Sequence, residues 1–310
     1  MTTSVITTGS EIEIRSSIAL ASLTSFRVGG EAEWFVAPTS VTELAASLAW
    51  RNHQKLPLTL LGAGSNLLIS DAGIPGLVIC MRHLRGIQFD DRTGQITAAA
   101  GEPIARIAWQ AAAKGWSGLE WAVGIPGTVG GLVTMNAGAQ GGCAADCLIS
   151  AEAISITGEP SIMLSHELGF SYRTSIFQNF EKPDTPDSCR HIVTGATLQL
   201  QPGGDPEKIT ASTSEHLKYR QTTQPYHLPS CGSVFRNPYP HAAAKLIEQA
   251  GLKGYKIGNA QVAELHSNFM LNCGGATAND IFRLIQHVQE TVQRQRSILL
   301  EPEVRMLGIF

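Results

Sequence analysis

No stretch of this chain approaches the roughly 20 consecutive apolar residues that a membrane-crossing helix needs. It holds no cluster of Lys and Arg interleaved with aromatics, and a formal net charge of -3 with a pI near 6.3 supplies no basic surface for a polyanion. Neither a nucleic-acid nor a membrane partner is therefore expected, which leaves small molecules. Cysteine is sparse as well: six in 310 residues, without a CxxC pair, exclude a disulfide framework and a zinc knuckle. Cys143 and Cys147 stand four apart and His166 precedes Glu167, but neither completes a ligand set such as HExxH, so no metal is expected. The opening MTTSVITTGSEIEI has no cation before Arg15 and no apolar run, so no leader or N-terminal anchor is expected. A reducing, cytoplasmic setting fits these absences, and a monomer is expected.

What is present is enough apolar material for two or three cores, with 43% hydrophobic against 16% charged residues. Ser40 and Glu43 form a capping box ahead of Leu44 and Leu48, which predicts a helix. A second helix is predicted by Pro103 in its first turn, by Ile104, Ile107, Ala108 and Ala111 on one face, and by a stop at Gly115. Short β-rich runs accompany them: LPLTLLG, GLVICM, QITAAAG, LVTMNAG and LISAEAISI. The segment HIVTGATLQLQ ends in the turn PGGDP, where Asp205 can cap a helix reaching about Tyr219. A domain boundary is expected at that turn. Beyond it, a Pro-rich stretch leads to helices near Pro240 and from Thr277, the latter with Ile281, Leu284, Ile285, Val288 and Val292 on one face. In LLEPEVRML, Val304 and Met306 alternate with Glu303 and Arg305, the pattern of a strand with one buried face. No repeat or low-complexity segment interrupts the chain.

Two glycine loops carry the first chemical signal. In LGAGSNLL, from Leu61 to Leu68, Gly62 and Gly64 remove Cβ atoms, so that successive backbone N–H groups can close round an anion such as a diphosphate. The loop is not a dinucleotide-binding GxGxxG, because Leu67 stands at the third glycine. The second loop, GIPGTVGG from Gly124 to Gly131, runs directly into LVTMNAGA, with Thr128 and Asn136 as polar tips. Such a composition suits close backbone approach to a large flat cofactor with phosphates.

These loops belong to an ordered series. SFRVGG, LGAGSNLLISD, GLEWAVGIPGTVGG, MNAGAQGG, FSYRTS, CGSVFRNP, IEQAGLKG, HSNFMLN with ATAND, and LLEPEVR follow one another to the C-terminus. In that order and over nearly its whole length, the chain resembles the flavin-dependent UDP-N-acetylenolpyruvoylglucosamine reductases of bacterial cell-wall synthesis. It looks like their shorter branch, which lacks an extra tyrosine-bearing loop. HSNF stands where HANF is more frequent in the family. The resemblance implies an α+β (mixed α/β) fold: a vanillyl-alcohol-type (PCMH-type) FAD-binding domain over 1–204, in two lobes divided near 85–90, plus a smaller α+β substrate-binding domain over 205–298. The terminal strand, 299–310, would carry a catalytic glutamate. The implied reaction is NADPH-dependent, FAD-mediated reduction of an enolpyruvyl ether. A flavin oxidase on the same fold would have no CGSVFRNP and no terminal glutamate motif, and both are present.

That reaction places negative charge beside the substrate carboxylate, so it needs a proton donor for the adjacent carbon and groups that stabilise an enolate-like charge. The resemblance assigns the donor to Ser233 in CGSVFRNP and the stabiliser to Arg173 in FSYRTS, whose planar guanidinium can grip a carboxylate with two parallel hydrogen bonds. Glu301, Glu303 and Arg305 share one strand face, and periodicity does not choose between the glutamates. The family motif points to Glu303, to pair with or orient Arg173. Cys231 has no base paired with it and reads as structural. Asn237 and Lys245, with Arg236 and Asn268 behind them, are expected to hold the substrate diphosphate and uridine. FAD contacts are expected from Gly62, Ala63, Gly64, Ser65, Asn66 and Leu67, from Gly124, Ile125, Pro126, Gly127, Thr128, Gly130 and Gly131, and from Asn136, Ala137 and Gly138. No second nucleotide motif is present for NADPH, which agrees with NADPH and substrate using one site in turn.

Some flavoproteins of the wider group attach their flavin to a histidine in the first glycine loop, where this chain has Ser65. The FAD is therefore expected to be non-covalent. Acid precipitation of the purified protein should release yellow colour into the supernatant; colour retained in the pellet would refute this.

Overall fold

Alternating apolar positions settle into two separate five-stranded sheets in the computed structural model, which describes residues 5–7, 12–181 and 190–310. In chain order, the first part carries strands β1 (Val5–Thr7), β2 (Glu13–Ala19) and β3 (Glu31–Val36), helix α1 (Val41–Gln54), and strands β4 (Leu58–Leu61), β5 (Leu67–Ile69) and β6 (Ile74–Cys80). All but β5 form one sheet in the order β1-β2-β3-β6-β4. Its β1, β2 and β3 are antiparallel neighbours, while β6 runs parallel to β3 and β4. Ser40 caps α1 by accepting from the Glu43 N–H at 3.1 Å. The Glu43 carboxylate turns back to the N–H and hydroxyl of Thr39 instead of to Ser40, so the expected capping box is shifted by one residue.

The second part holds β7 (Ile87–Asp90), β8 (Gln95–Ala99), α2 (Ile104–Ala113), α3 (Val129–Thr134), the small hairpin β9 (Gly138–Ala139) and β10 (Gly142–Cys143), then β11 (Leu148–Ser155), β12 (Pro160–Leu164), β13 (His191–Gln199) and α4 (Pro206–Thr223). Its sheet, ordered β12-β11-β13-β8-β7, is antiparallel throughout. Pro103 takes the N-cap position of α2, one residue before the expected first turn. LVTMNAG, β-rich by composition, forms the body and exit of α3 instead. The reason is local: the Thr128 hydroxyl accepts from the Gly131 N–H at 3.4 Å and starts a helical turn that Leu132 and Val133 bury.

The third part comprises α5 (Ala243–Gln249), the three-stranded sheet β14 (Lys256–Ile257), β15 (Ala260–Val262) and β16 (Met270–Asn272), helix α6 (Ala278–Arg296) and strand β17 (Arg305–Leu307). Thr277 and Asp280 cap α6 reciprocally, at 3.0 and 3.1 Å. The Asp71 carboxylate, from just after β5, accepts from the Ala278 and Asn279 N–H groups at 2.9 Å each. Ile281, Leu284, Ile285, Val288 and Val292 are all buried. Among the described residues, no helix is long and apolar enough to cross a membrane.

The expected boundary at 204–205 is corrected by packing. Helix α4 lies against α2 and the turn Glu120–Gly124, and its Leu217 packs on the core built from residues 12 to 200. A different core begins at Cys231 and reaches Val304. It is not closed by the C-terminal residues alone, since Phe26, Val28 and Leu68 are buried within it. Strand β17 also leaves its own part and pairs in parallel with β5, Arg305 opposite Leu67 and Leu307 opposite Ile69. Leu68 is thus a fully buried residue of one part that fills the core of another. Leu68→Ala should cost about 2–5 kcal/mol in urea unfolding; a loss below about 0.5 kcal/mol would show that Leu68 is not packed there.

Candidate active site

The segment Ser233–Arg236 is held on both edges. On one, the Val234 N–H donates to the Asn268 carbonyl at 2.8 Å. The Asn268 side chain adds a bond from the Phe235 N–H at 2.9 Å and one to the Phe235 carbonyl at 2.8 Å. On the other, the Glu303 N–H donates to the Val234 carbonyl at 2.7 Å and the Arg236 N–H to the Glu301 carbonyl at 2.9 Å. The fold therefore sets Ser233 next to the segment bearing Glu303, just before β17. Ser233 is half-buried, and its hydroxyl has no hydrogen-bond partner among the described residues.

Arg173 reaches the same place from 130 residues away. Its Nε donates to Glu303 Oε1 at 3.0 Å and its Nη2 to the Gly138 carbonyl at 2.7 Å. With side chains 22% and 16% exposed, the pair is partly shielded from bulk water. Burial dominates Glu303 and holds its carboxyl above the ordinary carboxylate range, while the cations of Arg173 and Arg236 pull the other way. The Arg173 backbone is left-handed, φ 55°, a conformation that costs a non-glycine residue about 1 kcal/mol or more. It is braced by Gln178, whose amide donates to the Arg173 carbonyl at 2.7 Å, and by Arg236, which donates to that carbonyl at 3.5 Å. Alternation along the terminal strand could not separate Glu301 from Glu303; in the structure Glu301 is exposed and Glu303 is enclosed.

The two glycine loops meet. A Cβ on Gly62 would lie 3.3 Å from the Thr128 hydroxyl. Among the described residues the N–H groups of Ala63, Gly64 and Ser65 meet no acceptor, so this first loop fits an anion. Asn66 joins the loop to the Arg173–Glu303 pair: its Nδ2 donates to the Glu303 carbonyl at 3.0 Å, and its own carbonyl accepts from Arg305 N–H at 3.0 Å. Leu67 is a buried residue of β5.

In the second loop, the Gly127 and Thr128 N–H groups likewise have no acceptor among the described residues, and Ile125 and Pro126 reach the surface. Gly130 and Gly131 do not act as free donors. Both lie in the first turn of α3, where Gly130 N–H is taken by the Ala100 carbonyl at 2.9 Å and Gly131 N–H by the capping hydroxyl of Thr128. Gly124 packs directly under the Arg220 side chain, which a Cβ there would displace, since it would sit 2.2 Å from Arg220 Cδ. Asn136 is buried, donates to the Ser171 carbonyl and accepts from the Ala145 N–H, each at 3.0 Å. Ala137 takes the Ala144 N–H at 3.0 Å, so with Gly138 it braces the hairpin below Arg173.

The four expected substrate residues separate. Asn268 is corrected: buried and committed to Phe235 through both amide atoms, it fixes the Ser233 segment and leaves no face for a ligand. Arg236 belongs with the Arg173–Glu303 pair. Asn237 accepts from the Ala243 N–H at 3.0 Å, which seats the start of α5, and Lys245 is exposed on that helix. Two residues of the site carry no sequence signal of their own. Gln178 follows Arg173 by five, in the short 3-10 helix Ile176–Glu181, and Arg82, in MRHLRG, binds the Gly62 carbonyl at 2.9 Å.

Comparison with known proteins shows which family the chain is similar to. Residues 32–161 match the family described as FAD binding domain, and residues 224–307 match UDP-N-acetylenolpyruvoylglucosamine reductase, C-terminal domain. The second match begins directly after α4, where packing changes partner. A curated UDP-N-acetylenolpyruvoylglucosamine reductase of Trichormus variabilis is 58% identical over 302 residues, 97% of this chain and 88% of that protein. The one of Synechocystis sp. is 52% identical over 297 residues, 96% of this chain and 92% of that protein. The crystal structure of UDP-N-acetylenolpyruvylglucosamine reductase from Thermus caldophilus has a TM-score of 0.77 at 33% identity, covering 96% of this chain and 99% of that one.

The balance at Glu303 is open to measurement. Arg173→Gln removes the stronger of the two cations that oppose burial, so the Glu303 carboxyl should titrate at higher pH than in the wild type, by NMR of labelled glutamate; a lower value would contradict the pairing. A carboxyl with a raised folded pKa holds its proton more tightly when folded. Its contribution is therefore present below the unfolded pKa and lost as pH rises through the folded one. Glu303→Gln should accordingly lessen the fall in stability over that rise.

Proposed function

Since the chain belongs to the UDP-N-acetylenolpyruvoylglucosamine reductase family, we infer that it reduces UDP-N-acetylenolpyruvoylglucosamine to UDP-N-acetylmuramate for peptidoglycan synthesis, with FAD as cofactor and NADPH as hydride donor. The observation that carries the reading is the meeting of Arg173, Glu303 and the Ser233 segment beside the Asn66 end of the first glycine loop. When bound, FAD supplies hydride taken from NADPH to the vinyl carbon of the substrate.

The rest of the chemistry falls to the chain's own groups. As hydride arrives, negative charge spreads over the neighbouring carbon and its carboxylate. The Arg173 guanidinium meets that charge, and Glu303 holds the guanidinium in place through Nε. The Ser233 hydroxyl gives its proton to the carbon next to the carboxylate. A hydroxyl is a very weak acid in water, but the carbanionic centre is a stronger base, so position decides more than pKa. Arg236 adds positive charge on the same side, while Asn237 and Lys245 reach the substrate's diphosphate from the start of α5. In this reading the protein is a cytoplasmic monomer that acts on small molecules and has neither nucleic-acid nor membrane partners.

The test is anaerobic: NADPH should bleach the yellow protein, and the enolpyruvyl substrate should restore the colour. Failure to bleach, or colour restored only by oxygen, would refute the reading. Lys245→Ala should weaken substrate binding by about 10- to 100-fold, the worth of a hydrogen bond to a charged group, with little change in the flavin spectrum. Unaltered affinity would remove Lys245 from the site. Ser233→Ala should leave bleaching by NADPH near its normal rate and slow the substrate step by about 10²- to 10⁴-fold. Equal slowing of both steps would indicate a distorted pocket, and a normal second step another proton donor.

A further inference from the structure

Arg82 takes no part in the chemistry above, yet its guanidinium is built into the first glycine loop. Its Nε donates to the Gly62 carbonyl at 2.9 Å, and its Nη2 donates to the carbonyls of Ala63 and Leu23, each at 2.5 Å. The next carbonyl, of Gly64, accepts from the Ser25 N–H at 3.1 Å. Three successive carbonyls, those of Gly62, Ala63 and Gly64, are therefore turned to one side and held there. In a planar trans peptide the C=O and the following N–H point in opposite directions. The N–H groups of Ala63, Gly64 and Ser65 are consequently turned to the other side, where none has an acceptor among the described residues. Such a row of donors forms a concavity for an anion.

We propose that Arg82 is a positioning residue of the cofactor site, which orients the 62–65 backbone so that this row of N–H groups receives the diphosphate of FAD; the proposal rests on the FAD reading above. The geometry asks for a guanidinium. One planar fork serves three carbonyls from two segments, whereas a lysine ammonium on the same stem is a single point charge without that spread. At Gly64 the loop has further support from the Ser25 N–H and hydroxyl, but the Gly62 and Ala63 carbonyls are held by Arg82. Gly64 has φ +67°, and a Cβ there would lie 2.1 Å from the Leu23 carbonyl, so the Leu23–Ser25 turn touches the loop from below. Gly101 lets the Met81–Leu84 turn pack closely, since a Cβ on it would lie 2.2 Å from the Met81 carbonyl. Without the guanidinium, the carbonyls of Leu23, Gly62 and Ala63 face one another unpaired. A peptide flip would relieve them by turning a carbonyl toward the phosphate.

The experiment compares wild type, Arg82→Met and Arg82→Lys as flavin-free proteins. FAD is titrated by quenching of its fluorescence, and thermal unfolding is followed without flavin. The expected result is FAD binding at least 10-fold weaker in Arg82→Met and clearly weakened in Arg82→Lys, with flavin-free unfolding midpoints within about 2 °C of wild type. Wild-type affinity in Arg82→Met overturns the proposal. So does wild-type affinity in Arg82→Lys, which would make charge sufficient. A flavin-free protein destabilised in proportion to the lost affinity overturns it too, because Arg82 would then be a general packing element. Should Arg82→Met fail to fold, Arg82→Lys carries the test alone. Wild type that takes up no FAD sinks the FAD reading itself, and the proposal with it.

Discussion

The parallel pairing of β17 with β5 sets the last strand of the chain beside its first glycine loop, and the candidate site depends on that register. Arg305 lies opposite Leu67, and Asn66 grips the backbone on both sides of Val304. A slip of one residue would reverse every side chain on the strand, placing Val304 where Glu303 now meets Arg173. The register is secured because Val304, Met306 and Leu307 pack into two different cores. Hydrophobic burial on one strand thereby fixes the position of a carboxyl that burial itself disfavours.

The same site concentrates unfavourable local choices. Glu303 is enclosed at a cost to its ionised form, and Arg173 adopts a left-handed backbone that most residues avoid. Both are offset by bonds from elsewhere in the fold: the Arg173 carbonyl is held by Gln178 and Arg236, and its guanidinium by Glu303 and Gly138. A guanidinium held from both its backbone and its tip has little freedom to reorganise when charge appears next to it. Local strain here corresponds to preorganisation.

Elements with strong local chemistry could be read from the sequence. Helix α6 is an example, because Thr277 and Asp280 cap it and five apolar residues repeat at helical spacing. Mixed α/β content was legible for the same reason. LVTMNAG was not, because its β-branched residues suggest a strand while a single hydroxyl, that of Thr128, starts a helix. The terminal strand misleads in another way. Alternation implies one buried face, but all three residues of β17 are half-buried, so a charged residue there, Arg305, is partly desolvated. Asn268 and Asn136 look like ligand contacts by residue type, yet their amides satisfy backbone groups far away in sequence. Such partnerships exist only after folding. The attachment of α4 to α2 was hidden because α4 is largely polar and buries only Thr213 completely, so composition gives no sign of what it packs against.

Phe26, Val28 and Leu68 lie in the core that otherwise belongs to residues after Cys231, and Asp71 caps the helix that organises that core. The third part is therefore not a transplantable module. A fragment cut at residue 204 or 224 would lose three of its own core side chains and a helix cap, and would expose apolar surface where they had been. Recombination between relatives is limited in the same way: an exchanged C-terminal half meets a foreign Phe26, Val28 and Leu68, and it succeeds only where those three positions have kept their shape. The two halves of the chain are bound to change together in evolution, although each has a sheet of its own.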